Sequence, residues 1–113
     1  MGYNIRFDLK IITIKNEKIL IDKVNRIIDR LFDLSEDAKD CISEDGDSLG
    51  PSRWPNYEVD LLKLSLKYPD LIFCLYMDGD DDDDFWVFYV NSGLTSTSRG
   101  KVSYPKPILS KFI

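Results

Sequence analysis

The sequence predicts a two-layer α+β sandwich, with two helices on one face of a mainly antiparallel sheet of four to five strands. Three observations predict this class. Residues 3–11 alternate between apolar and polar, as a strand with one buried face does. Two later segments have apolar residues at helical spacing, and the second half of the chain contains runs rich in β-branched and aromatic residues. The predicted order is strand, helix, long loop, helix and three strands.

The first strand is predicted in YNIRFDLKI, whose apolar positions are Tyr3, Ile5, Phe7, Leu9 and Ile11. The first helix is predicted in NEKILIDKVNRIIDRLF, with Asn16 as its N-cap. Its expected apolar stripe consists of Leu20, Val24, Ile27, Ile28 and Leu31.

Residues 34–53 have no sustained period, and their acidic sequence with glycine and proline predicts a long loop. A short strand near Asp40–Ser43 is the one element expected inside it. A structureless connection of this length is unusual in a compact domain, so we expect it to be either mobile or functional.

The second helix is predicted in WPNYEVDLLKLSLKYP, with Asn56 as its cap and Pro69 ending it. Its expected apolar face consists of Val59, Leu62 and Leu66. Glu58 and Asp60 fall in its first turn, where the helix dipole favours acidic side chains.

The runs LIFCLYM and FWVFYV are predicted to form a hairpin around an acidic loop at residues 78–84. The second run is apolar on both faces, which indicates a central strand. Asn91–Gly93 predict a tight turn, followed by a polar edge strand with a possible bulge at Gly100. The length of 113 residues and the 43% hydrophobic content predict a single domain, residues 1–113.

The composition argues against an enzyme. The chain has no histidine, which removes the usual near-neutral general base and the commonest metal ligand. We therefore expect no catalytic residues, no cofactor and no metal site. Nothing resembles a signal peptide or an apolar span of about 20 residues, so a cytoplasmic protein without a membrane partner is expected. Cys41 and Cys74 are expected to be reduced, with Cys74 buried, although a disulfide is an alternative.

The charge is concentrated in two acidic segments. Residues 35–48 carry six acidic residues and one basic residue, and residues 78–84 carry six acidic residues and no basic residue. The net charge of −5 therefore results from two acidic loops on a mildly basic remainder. Acidic loops disfavour nucleic acid as their partner.

The aspartate run at residues 78–84 allows three interpretations. As an EF-hand loop beginning at Asp78 it fails, because the sixth position is Asp83 instead of glycine and the twelfth is Tyr89 instead of glutamate. The three interpretations are therefore a hydrated hairpin loop that guards against aggregation, an adventitious cation site, and a patch that faces a protein partner.

The candidate partner-binding residues combine both acidic loops with two aromatic anchors. The acidic members are Asp45, Asp47, Asp78, Asp80, Asp81, Asp82, Asp83 and Asp84. Rows of carboxylates can engage a basic groove, and they mainly accelerate the encounter. The aromatic members are Trp54 and Tyr57, since tryptophan and tyrosine are common interface anchors. Packing in the core is the alternative for Trp54.

Several segments together resemble a group of small proteins of phages, prophages and related mobile elements. They are MGYNIRFDL, EDGDS, the YEVDLLKLSLKYPDLIFCL segment after Trp54, and the Trp86, Tyr89 and Asn91–Gly93 positions. The resemblance covers Met1–Leu9 and about Asp45–Gly93. The chain departs from the group in having DGDDDDD instead of a Gly/Glu-rich turn and NSGLT instead of NGK.

The resemblance implies a mobile-element accessory protein that binds a host macromolecule, such as an anti-CRISPR-like inhibitor. The expected partner is a host protein or ribonucleoprotein with a basic surface. The alternative is a single-stranded nucleic-acid-binding module that uses the basic C-terminal strand and tail, where aromatic residues lie between basic ones. Its basic residues are Arg99, Lys101, Lys106 and Lys111.

Overall fold

The computed structural model describes residues 5–79 and 85–99, without the side chain of Arg99. These residues form β1 (Arg6–Thr13), α1 (Ile21–Leu34), α2 (Glu36–Cys41), α3 (Tyr57–Lys67), β2 (Leu71–Asp78), β3 (Phe85–Asn91) and β4 (Leu94–Arg99). The strands form one antiparallel sheet in the order β1-β2-β3-β4. The predicted α+β sandwich and the central position of β3 are therefore confirmed.

Some predictions concern residues outside the described ranges. They are the place of Tyr3 in the first strand, the aspartates Asp80–Asp84, the bulge at Gly100 and the basic tail positions Lys101, Lys106 and Lys111.

One face of the sheet and the three helices enclose the main core. Alternate residues of each strand point to this face, as the pleat of a strand requires. The sheet contributes Phe7, Leu9, Ile11, Phe73, Leu75, Met77, Phe88 and Val90. The helices contribute Ile27, Ile28 and Leu31 from α1 and Leu61 and Leu64 from α3. Packing of Phe7, Leu9 and Ile11 in this core holds β1 at one edge of the sheet.

Helix α1 begins later than predicted. Its N-cap is Leu20, and the prediction that Leu20 belongs to the apolar stripe is wrong, because its side chain is 81% exposed. Asn16 does not cap the helix, because it has a positive φ of 64° in the turn that follows β1. The N–H of Asn16 donates to the carbonyl of Thr13 at 2.8 Å. Asparagine tolerates this left-handed conformation well, which explains why Asn16 lies in the turn. The prediction of Asn16 as the N-cap is therefore wrong.

Helix α2 replaces part of the predicted long loop, including the short strand expected near Asp40–Ser43. Ser35 caps it, because its hydroxyl oxygen accepts a hydrogen bond from the Ala38 N–H at 3.2 Å. Ala38 and Cys41 are completely buried beneath α1 and the adjoining loop. Six residues give too little periodicity for a pattern to be recognised, so the sequence predicted no helix here.

Helix α3 has a different buried face from the predicted one. Val59 and Leu66 are 50% and 62% exposed, whereas Leu61 and Leu64 are fully buried. The helix carries leucines on several sides, and the adjacent aromatic residues Tyr57 and Tyr68 pack against the core on the side of Leu61 and Leu64. Asn56 occupies the predicted cap position without a side-chain capping bond. The helix ends at Lys67, two residues before Pro69, as predicted.

Candidate functional site

The acidic segment that follows α2 is held against the outer edge of β1. Ile5 and Ser52 exchange both backbone hydrogen bonds, with N···O distances of 3.0 and 2.9 Å. Further along the same edge, the N–H of Leu9 donates to the carbonyl of Gly46 at 2.8 Å. The segment also closes on itself through the bridge between Ile42 and Ser48. We call residues 42–52 the edge loop.

Gly46 allows the edge loop to approach the strand so closely. It is buried and has a φ of 93°. A Cβ atom at this position would be in hard contact with the carbonyl oxygen of Leu9, and it would also touch the Ile28 side chain at 3.5 Å. Only glycine combines this backbone conformation with this proximity. The two neighbours of Gly46 in the sequence are the acidic residues Asp45 and Asp47.

Two side chains from outside the edge loop contact the acidic neighbours of Gly46. The amide nitrogen Nδ2 of Asn25, on α1, donates to the Glu44 carbonyl and to Oδ1 of Asp45, each at 2.8 Å. The Asp47 carboxylate lies 3.7 Å from the Lys10 ammonium in an exposed ion pair, where screening leaves little net stabilisation. The Asp47 side chain remains 67% exposed. The structure therefore brings Asp45 and Asp47 together on an ordered, water-facing loop.

The edge loop and helix α2 carry further exposed carboxylates. Glu36, Asp40 and Glu44 are exposed like Asp45 and Asp47, and Lys39 is the one basic residue between positions 35 and 48. On the other side of the loop, the Asp8 carboxylate accepts a hydrogen bond from the Ser48 N–H at 3.0 Å.

Asp78 lies apart from the edge loop. Asp78 is the last residue of β2 and pairs with Arg6 of β1. It therefore lies on the side of β1 that faces away from the edge loop. With strands ~4.8 Å apart and a rise of ~3.3 Å per residue, the backbones at Asp47 and Asp78 are roughly 14 Å apart. The two predicted acidic segments thus flank β1 without forming one carboxylate cluster in the described residues. Asp80–Asp84, which complete the second segment, lie outside those residues.

The prediction of Trp54 as an exposed anchor is wrong. Its side chain is only 2% exposed and packs edge-on against Phe7, with ring centroids 5.7 Å apart. Its indole Nε1 donates to Oδ2 of Asp60 at 2.8 Å, which satisfies the polar atom of an otherwise apolar side chain. Trp54 is therefore a core residue, which was the alternative interpretation.

Tyr57 is half-buried between two core rings. Its ring centroid lies 6.4 Å from that of Phe7 and 5.4 Å from that of Phe88. Burial, and to a smaller extent the nearby Glu58 carboxylate, raises the pKa of Tyr57. Part of its ring lines a surface pocket of about 210 Å³ with Pro55 and Arg53. Only part of the Tyr57 side chain is therefore accessible to a partner.

Both cysteines are free and buried, as expected for reduced thiols. The Cys41 thiol lies 3.3 Å from the carbonyl oxygen of Arg53, on the helix side of the sheet. Burial raises the pKa of Cys41, and it raises that of Cys74 to about 12. Neither thiol is ionised near neutral pH, so neither is available there as a nucleophile.

Residues 5–79 and 85–99 contain no group of three acidic, cysteine or histidine side chains arranged to hold a metal ion. Within the same residues, no helix has the length and apolar character needed to cross a membrane.

A cleft along α1 was not predicted from the sequence. It has a volume of about 600 Å³ and contains Lys23, Arg26 and Arg30 with Tyr68. The spacing of these cations on the helix could have indicated it, but Asp29 and Asp33 in the same cleft obscure the charge pattern. The face of the sheet opposite the helices is also apolar and includes Cys74 and Tyr89, as the prediction of a run with two apolar faces implies.

Comparison of the chain with protein-family models, with curated proteins and with solved structures finds no match.

Proposed function

We propose that this chain is a non-catalytic binding protein that captures and inhibits a macromolecule with a basic surface. The observation that carries the proposal is the edge loop itself. The contact of Gly46 with Leu9 and the two hydrogen bonds from Asn25 hold the backbone of the edge loop and the Asp45 side chain at the rim of the sheet, and the exposed Asp47 side chain lies beside them. An acidic segment that is ordered before binding loses little conformational entropy when a partner docks.

The chemistry of the loop favours a basic partner. Carboxylates in water interact weakly with single cations, but several on one rim raise the rate of encounter with a lysine- and arginine-rich surface. Glu44, Asp45 and Asp47 project from the edge loop, and Glu36 and Asp40 extend the exposed acidic surface onto α2. Nucleic acid, which is itself anionic, is disfavoured by the same charges.

The biological setting in the proposal comes from the resemblance to mobile-element accessory proteins. A phage or prophage protein of this kind would act in the host cytoplasm on a host protein or ribonucleoprotein. A CRISPR component fits the chemistry, because such a complex exposes basic grooves for nucleic acid. In this proposal Asp45 and Asp47 form the preorganised part of the binding surface. Asp78 and Asp80–Asp84 supply additional negative charge, and Tyr57 supplies an aromatic edge.

The proposal is tested by affinity capture from a bacterial host lysate with three tagged proteins. They are the wild type, the loop variant Asp45→Asn/Asp47→Asn/Asp78→Asn, and the control variant Asp22→Asn/Asp29→Asn/Asp33→Asn. The control removes the same number of charges from exposed positions of α1. We expect a specific partner with the wild type and the control and loss of that partner with the loop variant. Equal capture by all three proteins would contradict the proposal.

A further inference from the structure

A pocket lies at the outer edge of β1, beside the edge loop. It has a volume of about 380 Å³, and its walls include Ile12 of β1, Ile19 before α1, and Ile21 and Val24 in the first turn of α1. Asp45 of the edge loop lines the same pocket. Apolar walls with a few polar groups are typical of sites that receive a ligand or an anchoring side chain of a partner. We call it the edge pocket.

The apolar walls of the edge pocket are accessible to water. Ile21 is 54% exposed, and Ile12, Ile19 and Val24 are only partly buried. Aliphatic side chains in contact with water lack the stabilisation that burial gives. One large aliphatic side chain of a partner, placed in the pocket, would cover several of these groups together. The walls therefore favour an aliphatic occupant.

The edge pocket coincides with a gap in the hydrogen bonding of β1. The N–H of Leu9 donates to the Gly46 carbonyl at 2.8 Å. The N–H of Thr13 donates to the Glu17 carbonyl at 3.0 Å. Because alternate residues of an edge strand direct their N–H groups outward, the N–H of Ile11 points outward between these two bonds. Within the described part of the chain no acceptor is bonded to it, and Ile11 lines the pocket. A carbonyl of an extended partner segment can accept this hydrogen bond.

Asp45 forms the acidic end of the edge pocket. Its neighbour Gly46 is bonded to Leu9, so this end lies where the edge loop meets the strand. Asn25 donates a hydrogen bond to Oδ1 of Asp45 at 2.8 Å and holds the carboxylate in place. A lysine or arginine next to an inserted aliphatic side chain can form a charge-assisted hydrogen bond with this carboxylate.

Two lysines also line the edge pocket. Lys18 forms an isolated bridge with Ile12, so it lies at the end opposite Asp45. The Lys10 ammonium lies 3.7 Å from the Asp47 carboxylate, which partly balances its charge. A cation of the partner is therefore favoured at the Asp45 end of the pocket and disfavoured at the Lys18 end.

We propose that the edge pocket receives one leucine-sized aliphatic side chain from an extended segment of the partner, with an adjacent lysine or arginine of that segment bound to Asp45. This inference rests on the proposed function, because it specifies which part of a basic partner the edge loop selects. The partner then provides the anchoring side chain, a role that the buried Trp54 cannot perform.

Three synthetic peptides test this inference on the full-length protein: acetyl-GSKLKSG-amide, acetyl-GSKSKSG-amide and acetyl-GSSLSSG-amide. Each is titrated to millimolar concentration while the amide chemical shifts of the isotope-labelled protein are recorded. We expect both leucine peptides to shift the amide signals of Ile11, Ile19 and Ile21. The peptide with lysine and leucine should bind about tenfold more tightly, or better, than the peptide with lysine and serine, as burial of one leucine side chain implies.

Two double variants show whether the edge pocket causes the preference for leucine. Ile12→Thr/Ile21→Ser removes apolar groups from its walls. Ile14→Thr/Leu20→Ser makes comparable changes at neighbouring positions that are exposed and lie outside the pocket. The preference should fall to about threefold or less in the pocket variant and remain about tenfold in the control.

Equal affinity of the wild type for the two lysine peptides would overturn the inference, and so would the same preference for leucine in the pocket variant and the control. The proposed function is judged separately with Asp45→Asn/Asp47→Asn. If only the inference fails, this variant binds both lysine peptides more weakly than the wild type does. If the proposed function fails, the variant binds them as tightly as the wild type, which also overturns the assigned contact with Asp45.

Discussion

The indole nitrogen of Trp54 and the carboxylate of Asp60 are joined by a 2.8 Å hydrogen bond that ties the end of the acidic segment to the first turn of α3. Trp54 is 2% exposed, so water cannot replace the carboxylate as the acceptor without opening the core. Asp60 therefore has a structural role, whereas Asp45 and Asp47, the acidic residues proposed to bind a partner, lie before Trp54 in the edge loop.

This relationship predicts that Asp60→Ala lowers the free energy of unfolding by about 1–3 kcal/mol, because the buried N–H loses a charged acceptor. Urea unfolding followed by tryptophan fluorescence measures the change. Glu58→Ala is the matched control, since it removes another acidic residue from the same helical turn, and Glu58 is exposed. Equal destabilisation by the two substitutions would show that only the helix dipole matters at these positions.

Two glycines of the edge loop should respond differently to alanine. Both have a positive φ, 93° at Gly46 and 113° at Gly50. A Cβ on Gly46 meets the Leu9 carbonyl, whereas a Cβ on Gly50 meets no atom within 4 Å. We expect Gly50→Ala to cost about 1 kcal/mol of unfolding free energy and Gly46→Ala to cost at least about 2 kcal/mol more. Similar costs would contradict the close packing of the edge loop on β1.

Ser65 links α3 to the turn between β3 and β4. Its hydroxyl donates to the Leu62 carbonyl at 2.7 Å and accepts from the Gly93 N–H at 3.1 Å. Ser65→Ala is expected to cost about 1–2 kcal/mol, since a partly buried N–H loses its acceptor. Hydrogen exchange of the Gly93 amide should accelerate in the same variant. Ser92→Ala, which removes an exposed hydroxyl from the same turn, should leave that amide unchanged.

The buried Cys74 thiol and the half-buried Tyr76 hydroxyl, on the sheet face opposite the helices, predict a loss of stability at alkaline pH. The ordinary pKa values are 9.0 for the Cys74 thiol and 10.0 for the Tyr76 hydroxyl, and burial raises both to about 12. The unfolded chain therefore releases these protons at lower pH than the folded chain does. The stabilisation is complete below about pH 9 and is lost as the pH rises towards 12.

Urea unfolding between pH 7 and pH 11 measures this decline, and Tyr76→Phe should make it shallower because one ionisable group is removed. A free energy of unfolding that stays constant across this range would exclude the burial of these groups.

Periodicity and composition were sufficient to predict several elements of the fold from the sequence. The alternation around Phe7 and Leu9 predicted β1 and its buried face, and the doubly apolar pattern of residues 85–90 predicted a central strand. The stop before Pro69 also followed from local sterics.

The remaining features depend on contacts between distant parts of the chain. Nothing in the local sequence distinguishes the buried Leu64 from the exposed Leu66, because tertiary packing selects the face of α3. The edge loop is held by Gly46 against Leu9 and by Asn25 against Asp45, pairs that are far apart in the sequence. For the same reason Asp45 and Asp47 could be predicted as candidates from their charge, whereas the ordered surface that carries them could not.

The most direct test of the proposed function is the association rate constant of the captured partner, measured by stopped flow as salt is raised from about 0.1 M to about 1 M. Over this range the Debye length falls from ~10 Å to ~3 Å. For the wild type and for Asp22→Asn/Asp29→Asn/Asp33→Asn, the rate should fall roughly tenfold or more. For Asp45→Asn/Asp47→Asn/Asp78→Asn, the rate should be lower at 0.1 M and should fall less steeply as salt rises, because only the remaining carboxylates steer the encounter. A loop variant that binds as fast as the wild type, with the same dependence on salt, would contradict the account.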